Sequence, residues 1–151
     1  YAPFCRTEVV MTAPLLLHAS CVCVKDKGIL LIGASGTGKS DLALRLIDRG
    51  AMLVADDYVN LTRKDNALMA SPPNQLEGKI EVRGVGICTL PFAPTAQIHL
   101  YVDLADHPDR LPEPTFQDIA GVMIPRIALS ALEASAPLKI EMALSQGIGA
   151  L

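Results

Sequence analysis

The chain of 151 residues contains no Trp and only three Tyr and three Phe. So few aromatic rings leave no platform on which successive nucleobases could stack. An excess of basic residues is missing as well: 13 Lys and Arg stand against 16 Asp and Glu, a net charge of -3. A non-specific grip on a phosphodiester backbone needs a positive stripe, so no nucleic-acid partner is expected. Long apolar runs are absent too. Leu15-Leu16-Leu17, preceded by Pro14 and by Glu8 upstream, is too short for a signal peptide, and no stretch is long enough to span a membrane. The four cysteines, Cys5, Cys21, Cys23 and Cys88, form no CxxC pair, and with His18 they supply too few ligands for a zinc site. Free thiols point to a reducing, cytoplasmic setting.

What is present is ordinary for a globular chain, with 50% hydrophobic and 19% charged residues. The length suits one domain with a sizeable core. The most informative stretch is Gly33-Ala34-Ser35-Gly36-Thr37-Gly38-Lys39-Ser40, between the apolar run Ile29 to Ile32 and a helical pattern that ends near Arg49. Strand, glycine loop and helix start are the setting of a phosphate-binding loop. Gly33, Gly36 and Gly38 are expected to take positive φ and aim backbone N–H groups at phosphate oxygens. The helix N-terminus adds partial positive charge at the same point. Lys39 would reach the β- and γ-phosphates, and the Ser40 hydroxyl would be a Mg²⁺ ligand.

Along the chain, Ala19 to Val24 is expected as a strand, Lys25 to Gly28 as a turn, and Ile29 to Ile32 as a second strand antiparallel to the first. In the following helix Leu42, Ala43, Leu46 and Ile47 make one apolar face, and Gly50 is the stop. Strands are expected over Ala51 to Ala55, Asn60 to Arg63, Leu68 to Ala70, Lys79 to Arg83, Ile98 to Asp103, and Val122 to Leu129 around Pro125. Gly84-Val85-Gly86-Ile87 suits a tight bend, Asp106 to Pro114 a polar surface loop, and Gly147-Ile148-Gly149 a loose tail. Pro137 to Ser145 fits a helix with Pro in its first turn.

Asp56 and Asp57 close the strand after the loop helix. In an open α/β sheet ligands bind beyond the carboxyl ends of the strands, so both acids should lie near the γ-phosphate. One can accept a hydroxyl proton while the other holds Mg²⁺ or orients a partner. Glu81 and Arg83 alternate along an extended segment and share a face, an arrangement that suits metal and phosphate. A surface ion pair would have the same spacing. His18 by itself is no more than a structural histidine, and Asp103 is either a supporting acid or a strand-end residue.

Taken together, GASGTGKS, LALRLIDRGAMLVADDYV and EGKIEVRGVGI resemble the catalytic domain of bacterial HPr kinase/phosphorylase, with His18-Ala19 where that family has a His ahead of its first strands. The resemblance runs from about His18 to Ile87. It implies a single P-loop α/β domain, with a mixed sheet and flanking helices, related to the HPr kinase/phosphoenolpyruvate carboxykinase type. It also implies ATP and Mg²⁺, a homo-oligomer, and a kinase acting on a regulatory serine of an HPr-like phosphocarrier protein, with phosphate-dependent reversal. Asp56 would be the base, supported by Asp57 and His18. Ser40 and Glu81 would hold the metal, and Lys39 and Arg83 would stabilise the phosphoryl group. Residues 18–151 would form the kinase domain of a short form without the N-terminal domain of longer members. Residues 1–17 would be an N-terminal extension, with Met11 as a translation start and Tyr1 to Val10 upstream of it. Where longer members have an arginine loop, Leu129 to Lys139 reads LSALEASAPLK without Arg. The kinase half of the activity therefore fits better than the phosphorylase half.

Two other functions share the glycine loop. A small-molecule kinase would need a lid of clustered arginines, and only the separated Arg110 and Arg126 are at hand. A nucleotide-binding regulator without turnover would have no use for the acid at Asp56.

Overall fold

The structure, a computed structural model, describes residues 13–104 and 107–147. Its elements are β1 (Leu15–His18), β2 (Ser20–Val24), β3 (Lys27–Ile32), α1 (Lys39–Asp48), β4 (Met52–Ala55), β5 (Tyr58–Lys64) and β6 (Ala67–Ser71). There follow β7 (Lys79–Val82), β8 (Gly86–Thr89), β9 (Ala96–Asp103), β10 (Thr115–Ile119), β11 (Val122–Ala128) and α2 (Ala136–Ser145). The fold is mixed α/β, as expected.

The main sheet runs β1-β5-β6-β9-β3-β2-β4, and β7 pairs only with β8. β2 and β3 are antiparallel, whereas β3 and β9 are parallel. The free edge of β9 is divided: β6 pairs with it at Ala96 and Gln97, and β11 runs parallel to it at Tyr101 to Asp103. The sheet therefore forks. Alternation along β3 sends Ile29 and Leu31 into a core with Leu42 and Leu46 of α1 and Ile140 of α2, while Leu30 points to the opposite side. There it meets Val59 and Leu61 of β5, Leu68 of β6, and Ile119 and Ile124 of the β10–β11 hairpin. Helices α1 and α2 and the β7–β8 hairpin cover one face, and the β5–β6 and β10–β11 hairpins cover the other.

Helix α1 starts at Gly38, whose φ of 99° turns the chain out of the loop, and no side chain caps it. Its end is closed by Gly50 N–H on Ile47 C=O and Ala51 N–H on Leu46 C=O, both 3.0 Å, the paired bonds of a Schellman stop. Several boundaries differ from expectation. The turn between β2 and β3 is only Lys25-Asp26, both at positive φ, because Lys27 already pairs with Val24. β1 begins at Leu15, ahead of His18, and pairs with β5. Gly86 is not part of a bend but opens β8, so the turn is confined to Arg83-Gly84-Val85 and closed by Val85 N–H on Val82 C=O at 2.9 Å. β10 was not expected at all. Pro125 is accommodated within β11, opposite Phe116 of β10. Residues 107–114 are exposed and irregular, while Asp106, Ile148 and Gly149 lie outside the described residues. Among the described residues no helix is long and apolar enough to cross a membrane.

Candidate active site

The carboxyl ends of β3 and β4 lie on either side of β2, at the edge where the glycine loop emerges. The loop folds on itself. Lys39 is only 6% exposed, and its Nζ donates to the carbonyls of Gly33 at 2.7 Å and Ala34 at 3.2 Å. Thr37 Oγ1 donates to the Ala34 carbonyl at 2.7 Å. Gly36 and Gly38 take positive φ, but Gly33 does not. The requirement at Gly33 is space, since a Cβ there would stand 2.5 Å from Thr37 Oγ1.

The adjacent acids part company. Asp56 turns inward and is 8% exposed. Its Oδ1 accepts from Ser20 Oγ at 2.8 Å and Ser40 Oγ at 2.7 Å, and its Oδ2 accepts from the Glu81 backbone N–H at 3.1 Å. One carboxylate thus joins β2, the start of α1 and β7, and its buried charge is met by three donors. Asp57 turns outward, with its side chain 63% exposed. The backbone makes this separation possible: Tyr58 N–H bonds to Asp56 C=O at 2.8 Å around Asp57, whose φ is 71°. That is a three-residue γ-turn in its uncommon positive-φ form. His18 Nε2 lies 2.9 Å from Asp57 Oδ1, and its ring centroid is 5.1 Å from that of Tyr58. With the proton on Nε2 the imidazole donates to the carboxylate and fixes its direction.

A cleft of about 610 Å³ opens between the glycine loop and the β7–β8 hairpin. Ser35, Gly36, Gly38, Lys39, Ser40, Asp57, Glu81 and Arg83 all border it. Gly33, Ala34, Thr37, Asp56 and His18 are outside the lining but bonded to it: the two loop carbonyls to Lys39, Thr37 through Ala34, Asp56 to Ser40 and the Glu81 N–H, and His18 to Asp57. The sequence-based residues therefore converge. Asp103 does not join them, because it forms an ion pair with Arg126, which also lies 5.9 Å from the Tyr101 ring centroid. Neither Arg110 nor Arg126 borders the cleft. A smaller hollow of about 250 Å³ near the amino ends of β3 and β9 has no acidic side chain in its lining.

Sequence reasoning missed Ser20 and Leu132, as well as Leu44 of α1 and the Asp41 and Val82 side of the lining. Ser20 is fully buried, and the only hint of it was a hydroxyl in a strand of small apolar residues. Leu132 borders the cleft from the turn before α2, and no local pattern marks it. Among the described residues no three His, Cys, Asp or Glu side chains cluster as a ready metal site. The oxygen set still fits Mg²⁺, which keeps several waters and takes few protein ligands beside substrate phosphates. Ser40 gives its proton to Asp56, leaving its oxygen lone pairs available, and the Glu81 carboxylate borders the same cleft.

Residues 10–137 match the family profile of the HPr Serine kinase C-terminal domain. The chain belongs to this family. A curated relative, the HPr kinase/phosphorylase of Clostridium botulinum (strain Eklund 17B / Type B), is 48% identical over 71 residues, covering 47% of this chain and 23% of its own. The Clostridium tetani HPr kinase/phosphorylase is 48% identical over 75 residues, covering 50% and 25%. The chain thus spans about a quarter of the length of these relatives. Among solved structures, the Hpr(Ser) kinase/phosphatase from Coxiella burnetii superposes with a TM-score of 0.77 at 29% identity, covering 88% of this chain and 95% of that one.

Proposed function

We propose that the cleft is the active site of an ATP-dependent protein-serine kinase that acts on an HPr-like phosphocarrier protein. On this reading residues 33–40 are a P-loop, and the kinase domain comprises residues 18–151 together with the strand residues Leu15 to Leu17. The observation that carries it is the divergence of Asp56 and Asp57 beside the glycine loop. A nucleotide sensor needs phosphate contacts but has no use for an outward carboxylate held by a histidine.

On this reading the roles that the family resemblance implied for the two acids are exchanged. Asp57, open to the cleft and oriented by His18, is the base that takes the serine hydroxyl proton as its oxygen attacks the γ-phosphorus. Asp56 is a positioning residue: it holds the Ser40 hydroxyl and the start of β7, and with all its named donors in place it has no route to a proton in the cleft. Loop N–H groups and Lys39 bind the donor phosphates, and Arg83 meets charge on the transferred group. Lys39 would exchange its two carbonyl partners for phosphate oxygens. When bound, Mg²⁺ would be held by Ser40 and Glu81 and would offset negative charge on the phosphates. A homo-oligomer belongs to this reading and is checked by light scattering.

The test is labelled ATP with purified HPr-type carriers from the same organism, beside a panel of hydroxyl metabolites. Label on a carrier serine supports the proposal. Label on a metabolite alone would replace it with a small-molecule kinase, and binding without transfer to either would leave a regulator. Added inorganic phosphate, tested on the phosphorylated carrier, reads the reverse direction.

A further inference from the structure

The turn before α2 is fastened to the glycine-loop helix by one side chain. Arg45 donates from Nε to Asp41 Oδ2 at 2.9 Å, from Nη1 to the Glu133 carbonyl at 3.0 Å, and from Nη2 to the Ala131 carbonyl. These two carbonyls flank Leu132. The strap lies directly on the loop: a Cβ at Gly38 would stand 3.3 Å from both the Ala131 Cβ and the Leu132 Cδ2. Ala131 is buried there, while Leu132 is 76% exposed and faces the cleft. Singly exposed apolar side chains are common on protein surfaces; Leu132 is distinguished by its place in the cleft lining, against Gly38 of the loop.

From this arrangement we infer that Arg45 is a positioning residue and that Leu132 is an apolar wall excluding water from the phosphoryl group during transfer. The inference rests on the kinase reading. Water could attack the γ-phosphorus in place of the serine oxygen, breaking the bond to the bridging oxygen and releasing nucleoside diphosphate and phosphate. Leu132 disfavours that competitor by filling the space beside the loop, and the drier surroundings strengthen the contacts of the loop N–H groups with phosphate. Arg45 sets where Leu132 stands, because its guanidinium fixes the carbonyl on either side.

The test measures ATP hydrolysis without acceptor, relative to serine transfer with acceptor, in the full chain. Leu132→Ala is expected to raise that ratio about 10-fold. Arg45→Met should raise it in the same direction, Arg45→Lys should restore part of the loss, and the Arg45→Met/Leu132→Ala double variant should fall well short of additive. Arg49→Met is the control, because Arg49 holds α2 through Glu141 at 2.8 Å and leaves the strap alone. It should lower stability without moving the ratio. An unchanged ratio in Leu132→Ala, or a rise only in the KM for the carrier, would overturn the inference. A second readout needs no turnover and so separates this claim from the kinase reading. Amide exchange at residues 131–133 should slow when a non-hydrolysable ATP analogue and Mg²⁺ are added, and Arg45→Met should abolish the effect. No slowing in the unmodified chain overturns the strap even if transfer to the carrier is observed.

Discussion

The two walls of the cleft are built on different physical terms. On the glycine-loop side nearly every polar group has a fixed partner: Lys39 on two carbonyls, Thr37 on Ala34, and Ser20 and Ser40 on Asp56. On the opposite side the β7–β8 hairpin stands apart from the main sheet. Its anchors are Ile80, buried among the helix-side residues, the Glu81 N–H bond to Asp56, and a Leu90 N–H bond to Gly78 C=O of 2.7 Å. Val85 and Ile87 stand exposed near its tip. The first wall is preorganised, and on the proposed reading its ligand is a polyphosphate. The second has few restraints, and on the proposed reading it adjusts to the larger, less uniform surface of a protein substrate.

The contrast can be broken most forcefully at Asp57. Asp57→Asn should lower serine phosphorylation about 10²- to 10⁴-fold with donor affinity nearly unchanged. Collapse of nucleotide binding in that variant would make Asp57 a donor ligand and remove it as the base. Lys39→Ala strikes the preorganised wall. It should weaken donor binding and cut transfer by about 10²- to 10³-fold, measured by nucleotide titration and initial rates. At the hairpin Ile80→Ala should cost about 2–4 kcal/mol in denaturant unfolding, and it should raise the KM for the carrier more than the Kd for nucleotide. Equal loss on both sides would mean that the walls do not behave separately.

Beneath the donor wall, burial pushes the Cys21 thiol pKa well above its ordinary value of 9.0, with Cys23 adding to the rise. A thiol kept neutral in the folded state contributes stability fully below about pH 9. It loses that contribution as the unfolded chain ionises, by about 1.4 kcal/mol for each pH unit above that value. Cys21→Ala should flatten the fall in stability between pH 9 and 10. An unchanged slope would mean that the floor under Ser20 opens readily. The smallest effect is expected at Val85→Ser, within about 0.5 kcal/mol in stability, with a measurable rise in the KM for the carrier.

Legibility followed how local the cause was. The helix from Lys39 is fixed by its own glycine loop, its 3.6-residue apolar spacing and Gly50, so its limits could be taken from the chain to within a residue. The Asp pair was visible as a strand end, but the opposite directions of its two side chains were not, because they depend on a single backbone torsion at Asp57. Gly33 was expected for the right place and the wrong reason: crowding by Thr37, not positive φ, is what excludes a side chain. β8 was hidden because Gly84 and Gly86 both looked like one bend, and β10 because Thr115 to Ile119 has almost no apolar alternation of its own. Ser20 and Leu132 reach the site only through register and through a contact across the fold, neither of which short-range spacing encodes.

The γ-turn at Asp57 also determines which substitutions are informative there. Two neighbouring side chains on a regular strand already point to opposite faces, but here the turn commits one to the interior and the other to the cleft by a torsion that most residues resist. Asn and Gly occupy positive φ at modest or no cost, whereas Ala and β-branched residues would strain the turn and drag Asp56, Tyr58 and their partners with it. An inactive Asp57→Ala protein would therefore confuse a missing carboxylate with a displaced Ser40. Asn and Gly in parallel separate the two, since both keep the path of the chain and both remove the carboxylate.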